Sequence, residues 1–579
     1  MHSPRLLQPP AKWLRLSRGT ILAGTSLTTL LLGYSLLSRC QGGCQFMDPA
    51  AAAPTAVPTY PLLRVVVNSP VDGDIQADDA LTLREAIALT NGTLKQKDLS
   101  AAEQAQVSST QDHSRIEFDL PAQDTTIRLQ SVLPTLASPN LVVDGTSQPG
   151  YAISKDQQDI SVPIVALTPA PKVEVFRGLT IAASGVQVQG LSLYGFTSTS
   201  KTIGTTPSAD IFIAHPLLPA QRLEQNNPAI HYPNQDPHLP QGVVITANWL
   251  GLAPKHSPPP TAMPNTPRSS FGVSIYNAIG TRILNNRIAH HQGSAVITSV
   301  RAERTEIAHN LIENNGLAGM ADGIHLEGRI EGTRIRANQI TNNGGSGIFL
   351  FRTAGATRIQ DNQITRNGRR LPQAAIYLMG NDHQVLNNTI ADQPGPGVVI
   401  AAYPTSIRNL IQDNRFANLA GLSIDLVGRH NRFLDRFARL DTNRVDLTAP
   451  SQTGVQDYQR GDGPNPQRNS KNRQRDTANR GINTPQFLSS EFFLFDQQVT
   501  LDGTADPGVT VMIYRVKEQQ QRGPLSEPLM AAVSDQKGQF SITLNDVKSG
   551  DRFSAIATHS EYGTSEPALN VTVRTLRPF

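Results

Sequence analysis

The chain has 579 residues, a net charge of +4 and 17% charged residues. This length exceeds a single ordinary hydrophobic core, so two or more domains are expected. Glycine and proline contribute 44 and 41 residues, which is typical of turn-rich β structure. The positive charge is small and scattered, and this argues against a nucleic-acid-binding protein.

The N-terminal segment, residues 1–47, predicts export. Four basic residues precede an apolar stretch at 20–38, and a Pro- and Ala-rich linker follows at 48–61. This pattern fits a cleaved signal peptide, and the stretch is also about long enough for an uncleaved membrane anchor. Both alternatives place the protein in the cell envelope, the periplasm or outside the cell.

Cys40 and Cys44 are the two cysteines of the chain, and both lie in this segment. The rest of the chain is therefore expected to have neither a disulfide framework nor a cysteine-based metal site. Lipidation of either cysteine is a further alternative for membrane attachment. Arg39 and Gln41 both depart from the sequence that usually precedes a lipidated cysteine.

A column of asparagines recurs at intervals of 24 to 28 residues: Asn286, Asn310, Asn338, Asn362, Asn388 and Asn414. An apolar residue lies three positions before and two positions after each of them. Such a period predicts a solenoid, and short β-branched runs predict that its coils are strands. We expect the asparagines to stack as a buried ladder in which each amide bonds its neighbours.

One repeat predicts three short strands, at 347–351, 357–361 and 363–365, with a turn at 352–356 and a corner at Asn362. This arrangement resembles the right-handed parallel β-helix of pectate-lyase-like proteins, and the resemblance implies the hand. The sequence Leu-Thr-Leu-Arg-Glu-Ala-Ile at 81–87 resembles the segment that opens many exported bacterial β-helix proteins. It predicts a short helix that caps the open end of the solenoid.

The chain divides further by composition. The β-helix with its cap is predicted over 62–430, and a polar segment at 431–483 predicts a disordered linker. Alternating strands separated by turns at 484–579 predict a β-sandwich that resembles bacterial Ig-like modules. The predicted fold class is all-β: a right-handed parallel β-helix solenoid followed by a small Ig-like sandwich.

In the pectate-lyase-like fold, substrates usually lie on the outer face of the first strand sheet. Strand alternation predicts an outward column there: Ser274, Ile297, His325, Phe349, Tyr377 and Val399. We call Phe349, Phe351 and Tyr377 the aromatic strip, because flat rings in a row suit the apolar faces of sugars. Three arginines in adjacent turns could pair with uronate or sulfate: Arg352, Arg369 and Arg370. The alternative is that loops cover the strip and that its rings belong to the core.

The best catalytic candidates are Asp322, His325 and Glu327, which one coil brings onto the same strand. Paired carboxylates could hydrolyse a glycosidic bond, and a histidine could serve as the base of a lyase. In the alternative interpretation Asp322 is a turn former beside Gly323. Asp361 and Asp413 precede ladder asparagines and are interpreted as turn residues.

Other chemical signatures are weak. The catalytic segments of polygalacturonase-type relatives are missing from the sequence. Four acidic residues at 72–79 lack the spacing of an EF-hand, so calcium is only a weak prediction and no cofactor is expected.

The sequence favours a noncatalytic, monomeric envelope protein that binds a polysaccharide or cell-surface glycan, or that supports adhesion. The alternatives are a polysaccharide lyase or glycoside hydrolase acting in the groove of the first strand sheet, and a rigid spacer.

Overall fold

The computed structural model describes residues 60–153, 160–199, 207–214, 239–254, 268–402, 405–428, 460–468 and 477–575. The predicted signal or anchor segment lies outside the described residues. Within the described ranges, no helix has the length and apolar character needed to cross a membrane.

The N-terminal part contains two short helices and the first, irregular coils. Its elements are β1 Leu63–Val67, α1 Leu83–Thr90, α2 Ala101–Gln104, β2 Val107–Ser109, β3 Arg115–Phe118, β4 Thr126–Leu129, β5 Val142–Asp144, β6 Val165–Pro169, β7 Arg177–Ile181, β8 Gln187–Gln189, β9 Leu191–Leu193, β10 Ala209–Ala214, β11 Val244–Thr246 and β12 Trp249–Leu250.

The regular coils follow. Their strands are β13 Phe271–Ile279, β14 Arg282–Leu284, β15 Arg287–Ala289, β16 Val296–Glu303, β17 Glu306–Ala308, β18 Leu311–Glu313, β19 Ile324–Arg329, β20 Thr333–Arg336, β21 Gln339–Thr341, β22 Ile348–Ala354, β23 Thr357–Gln360, β24 Gln363–Thr365, β25 Ile376–Leu378, β26 Gln384–Leu386, β27 Thr389–Gln393, β28 Val398–Ile400, β29 Leu410–Gln412, β30 Arg415–Leu419 and β31 Ile424–Leu426.

These strands form three long sheets, and the chain is an all-β parallel β-helix. Sheet I has the order β31-β28-β25-β22-β19-β16-β13-β10-β7, sheet II the order β2-β1-β3-β5-β8-β11-β14-β17-β20-β23-β26-β29, and sheet III the order β30-β27-β24-β21-β18-β15-β12-β9-β6-β4. All neighbours pair in parallel except β1 and β2. Equivalent residues stack in register, and Ile324, Ile348 and Ile376 are fully buried in the core.

The predicted asparagine ladder is confirmed. The side-chain oxygen of Asn338 accepts from both the backbone N–H and the side-chain amide of Asn310, each at 3.0 Å. The same two hydrogen bonds link each successive pair of asparagines from Asn248 to Asn414. Asp361 and Asp413, one residue before the ladder, have φ of 56°, so both are turn residues as interpreted.

A second ladder lies at the next corner and was missed from the sequence. Its members are Asn315, Asn343 and Asn367, which bond one another in the same way. Each follows a ladder asparagine by five residues, a spacing that could have revealed it. Two ladders at successive corners fix the register of coil on coil, because a slipped coil would leave buried amides unpaired.

Helix α1 forms the predicted N-terminal cap. Thr82 and Glu85 form a capping box, in which the side chain of each bonds the backbone N–H of the other. Arg84 pairs with Asp72, with Nε 2.9 Å from Oδ1. Leu83, Ala86 and Ile87 are buried against the first coils, so the helix covers apolar side chains that an open coil would expose.

The C-terminal strands form two further sheets. Their bounds are β32 Gln486–Phe487, β33 Glu491–Leu494, β34 Val499–Thr504, β35 Thr510–Val516, β36 Glu527–Val533, β37 Gln539–Leu544, β38 Arg552–His559, β39 Gly563–Thr564 and β40 Val571–Thr575. Sheet IV has the order β32-β34-β37, and sheet V the order β33-β40-β38-β35-β36, with β39 on β38. We call this unit the sandwich; its kinship with Ig-like modules stays a prediction.

The sandwich packs directly on the last coil. The Thr564 N–H donates to the Asn409 carbonyl at 3.0 Å, and the Phe416 N–H donates to the Leu525 carbonyl at 2.9 Å. Fully buried Asn479 bonds both Asn409 and Thr564. The described parts of the predicted linker, 460–468 and 477–483, are thus ordered. Polar composition suggested disorder, but their asparagines bond the backbone of the coil.

Candidate active site

The candidate site lies on the outer face of sheet I. The predicted outward column is in register: Ile297 pairs with His325, His325 with Phe349, and Phe349 with Tyr377. Glu327 pairs with Phe351 in the next outward position. Strand β22 runs to Ala354, through residues predicted to be a turn. Arg352 adopts φ of 48°, and the strand continues past it.

Asp322 and His325 come together as predicted. Nδ1 of His325 lies 3.2 Å from Oδ2 of Asp322, and Oδ1 of the same carboxylate accepts from the Ser346 N–H at 3.0 Å. Since a carboxylate only accepts, this contact places the imidazole proton on Nδ1 and leaves the lone pair on Nε2. Nε2 is buried and has no hydrogen-bond partner in the described structure.

Glu327 lies on the same strand, two residues after His325. Its backbone is fixed by Thr298 on β16, whose hydroxyl donates to the Glu327 carbonyl at 2.7 Å and accepts from its N–H at 2.8 Å. Burial raises the pKa of Glu327, and the nearby His325 opposes that rise. A carboxyl group with a raised pKa keeps its proton to a higher pH and can donate it.

The three predicted arginines are placed differently from one another. Arg370 is half-buried: Nη1 donates to the Ala318 carbonyl at 3.0 Å and Nη2 to the Gly319 carbonyl. Burial lowers the pKa of Arg370, and the charge of Asp322 opposes that effect. The Arg370 guanidinium therefore interacts electrostatically with the Asp322 carboxylate. Arg352 lies over the Phe351 ring, with 5.4 Å to the centroid, and Arg369 is exposed.

Of the two interpretations of the aromatic strip, the structure fits core packing for Phe349 and Tyr377. Phe349 and Tyr377 are 4% and 1% exposed, and Phe351 alone is partly accessible. Phe349 packs between His325 and Tyr377, with ring centroids 4.9 and 5.2 Å away, and the cluster includes Met379 and Val399. Apolar neighbours on successive coils bury one another's faces, which leaves no open stacking surface at Phe349 or Tyr377.

Sequence reasoning missed a set of buried polar atoms without a hydrogen-bond partner in the described structure. On sheet I these include Ser274 Oγ, both amide atoms of Asn277, Arg301 Nε, and Nε and Nη2 of Arg177. Ser274 precedes Ile297 and His325 in the outward column, and Asn277 pairs with Arg301. Their shared face was hidden in the sequence because a register shift between Ile275 and Asn277 breaks the simple alternation.

Metal binding finds no support within the described ranges, where no group of three or more His, Cys, Asp or Glu residues could hold an ion. Asp72, part of the weakly predicted calcium cluster, is engaged by Arg84 and by the Gln130 N–H at 2.7 Å.

Comparison with known proteins supports the solenoid. Residues 271–435 match the family model of the right-handed β-helix region. This match supports the right hand of the β-helix that the resemblance implied. A search of curated proteins returned no match.

Similar folds occur among solved structures. The surface adhesin PfbA of Streptococcus pneumoniae is 13% identical, over 55% of this chain and 82% of that one, with a TM-score of 0.33. DFA-IIIase from Arthrobacter chlorophenolicus A6 is 12% identical, over 57% and 80%, with a TM-score of 0.33. The enzymatically active domain of tailspike protein 2 from bacteriophage CBA120 is 11% identical, over 76% and 68%, with a TM-score of 0.28. These likenesses concern the fold alone.

Proposed function

We propose that the chain is an exported polysaccharide lyase that cleaves a uronate-containing polymer on the outer face of sheet I. The observation that carries the proposal is the His325 imidazole, which Asp322 orients through Nδ1 and whose Nε2 is buried and unpartnered in the described structure. A general base needs an oriented imidazole whose lone pair is free to accept a proton. Glu327, whose pKa is raised by burial, is the matching acid on the same strand.

The proposed reaction is a β-elimination. His325 Nε2 removes the proton from C5 of a uronate, and the electrons of that C–H bond form the C4=C5 double bond. The bond between C4 and the glycosidic oxygen breaks, and Glu327 transfers its proton to the departing oxygen. Asp322 stabilises the imidazolium that forms. One proton is taken and one is given, so no water enters the step.

Other strands of sheet I supply groups that suit a polar, anionic polymer. Arg301 on β16 and Arg177 on β7 are 3% and 8% exposed, and each keeps at least one guanidinium N–H without a partner in the described ranges. A buried donor left unpaired costs about 1–3 kcal/mol, so several along one face are explained by a ligand that pairs with them. Carboxylates are natural partners of guanidinium groups.

The noncatalytic binding function that the sequence favoured loses its main support, since Phe349 and Tyr377 are buried. His325 is itself only 4% exposed, so a substrate has to open the surface around it. Binding without cleavage remains the second candidate, because the unpartnered polar atoms on sheet I fit recognition as well as chemistry.

The test is incubation of the purified full-length chain with a panel of acidic and neutral polysaccharides. Absorbance of unsaturated uronates, new reducing ends and co-sedimentation are followed together. Unsaturated products from an acidic polymer are expected. Reducing ends without unsaturation would replace the lyase by a hydrolase, and retention without products would favour binding.

A further inference from the structure

The junction between the last coil and the sandwich brings three carboxyl groups together. Asp425 lies on β31 in the outward column of sheet I, Glu566 follows β39 in the sandwich, and Asp462 belongs to the short segment 460–468. Asp425 and Glu566 are 1% and 2% exposed, whereas Asp462 is at the exposed rim. The three groups come from three separate parts of the chain.

Each carboxyl group accepts a hydrogen bond from a backbone N–H group that belongs to another of these parts. Glu566 Oε1 accepts from the Leu426 N–H at 3.1 Å, and Oε2 accepts from the Asn465 N–H at 2.8 Å. The oxygens of Asp425 accept from the N–H groups of Asp462 and Gly463 at 3.2 and 3.0 Å. Asp462 Oδ2 accepts from the Gly428 N–H at 2.9 Å. Glu566 therefore ties the sandwich to the coil and to the segment 460–468, and Asp425 and Asp462 tie that segment to the coil.

The three carboxyl groups are close enough to interact electrostatically. Asp425 interacts with both Glu566 and Asp462, and Glu566 interacts with Asp462 and with Arg522 of the sandwich. Arg522 is itself tied to the Pro567 carbonyl, at 2.8 Å from Nη1. Full ionisation would place three negative charges close together at a largely buried junction, where screening by water is weak.

We propose that Asp425, Asp462 and Glu566 form a proton-dependent latch, which holds the sandwich on the last coil while protons are retained and weakens that contact when all three groups ionise. This inference is independent of the proposed lyase activity. It concerns the junction between the last coil and the sandwich, and it makes the docked arrangement the low-pH form.

The direction follows from how the cluster titrates. Burial, and then the charges of Glu566 and Asp462, raise the pKa of Asp425. Burial raises the pKa of Glu566 from 4.5 to about 7. Between those two values the docked form keeps a proton that the undocked form releases. Docking is therefore strongest below pH 4.5 and weakens as the pH rises to about 7.

Amide hydrogen exchange on the full-length chain tests the latch. Protection factors at pH 5, 6, 7 and 8, corrected for the intrinsic exchange rate, are measured for peptides that contain Leu426, Phe416 and Thr564. The amides of these residues bond across the junction. We expect their protection to fall on the order of a hundredfold from pH 5 to pH 8, as the shift of Glu566 predicts. Ile340, in the middle of the solenoid, reports whether the fold as a whole is intact.

Two variants separate the latch from general pH sensitivity. Asp462→Asn removes a rim charge, so the fall in protection should shrink and move to lower pH. Glu566→Gln should weaken docking at every pH, because one acceptor is lost, but should flatten the pH dependence. Glu518→Gln is the control: Glu518 bonds Asn418 across the same junction, at 2.5 Å, but lies outside the cluster. It should leave the pH dependence unchanged.

Protection that stays constant from pH 5 to pH 8 would overturn the proposal. An unchanged pH dependence in both Asp462→Asn and Glu566→Gln would also overturn it. A parallel loss of protection at Ile340 would assign the effect to global unfolding, and that result would overturn it as well.

Discussion

At the scale of single residues, buried amides determine how the coils stack. Asn362 accepts from the backbone and side chain of Asn338, and its own amide donates to Asn388 and to the Ile335 carbonyl. Every hydrogen-bonding atom of this side chain is used, and the residue is 2% exposed. The spacing of the asparagines made this ladder predictable, because a fixed interval in a solenoid puts equivalent residues one above the other.

Asn362→Ala should lower the free energy of unfolding by about 2–4 kcal/mol, because it leaves several buried partners unpaired. Gln363→Ala, at the adjacent exposed position, is the matched control and should change it by less than about 0.5 kcal/mol. Chemical denaturation measures both. Equal effects would show that the ladder adds nothing beyond an ordinary strand residue.

The site residues were predicted only in part. Strand alternation puts His325 and Glu327 on one face, and Asp322, just before the strand, contacts His325. The sequence left the burial of Phe349 open, because alternation tells which face a side chain takes and not whether that face is covered. The unpartnered Arg301 and Asn277 were hidden by the register shift in β13.

Glu327→Gln should reduce the rate of product formation by at least about a hundredfold, because the amide cannot donate a proton to the departing oxygen. Asp361→Asn removes a carboxylate from an exposed turn of the same stack, and asparagine tolerates its positive φ. This control should keep full activity. Initial rates on the cleaved polymer compare the two variants. A Glu327→Gln variant as fast as Asp361→Asn would show that Glu327 is not the proposed acid.

At the scale of elements, helix α1 closes the N-terminal end of the solenoid. Its position was predictable from the apolar face of 83–87, and its exact start is set by the Thr82 and Glu85 side chains. Short helices depend on such caps, since the first N–H groups have no partner within the helix.

Thr82→Ala should destabilise the chain by about 1 kcal/mol, because it removes the acceptor for the Glu85 N–H. Thr82→Ser keeps that oxygen and should stay close to wild type. The midpoints of thermal unfolding compare the two variants. If both shift the midpoint equally, then the capping bond does not matter for stability.

At the scale of the whole molecule, the sandwich packs directly on the last coil of the solenoid. Thr564 lies beside Asn409 as a next rung would, and Asn479 continues the corner bonds of His383 and Asn409. Composition could not predict this contact. A polar segment without large apolar residues is typical of a linker, yet here asparagine and carboxylate side chains replace apolar packing with hydrogen bonds.

This arrangement gives the chain two chemically distinct regions. Sheet I holds the oriented His325 in the middle of the solenoid, and the same outward column ends at Asp425 in the latch. Three residues of the column lie between His325 and Asp425 on successive strands: Phe349, Tyr377 and Val399. The proposed catalysis and the proposed docking latch can therefore be disturbed separately by substitution.

The most direct test of the account is a crystal structure of the full-length chain with an oligosaccharide of the polymer that it cleaves or retains. The account predicts sugar residues along β13, β16 and β19, with a uronate facing His325 Nε2. An oligosaccharide bound on sheet II, sheet III or the sandwich, with His325 still covered, would contradict it.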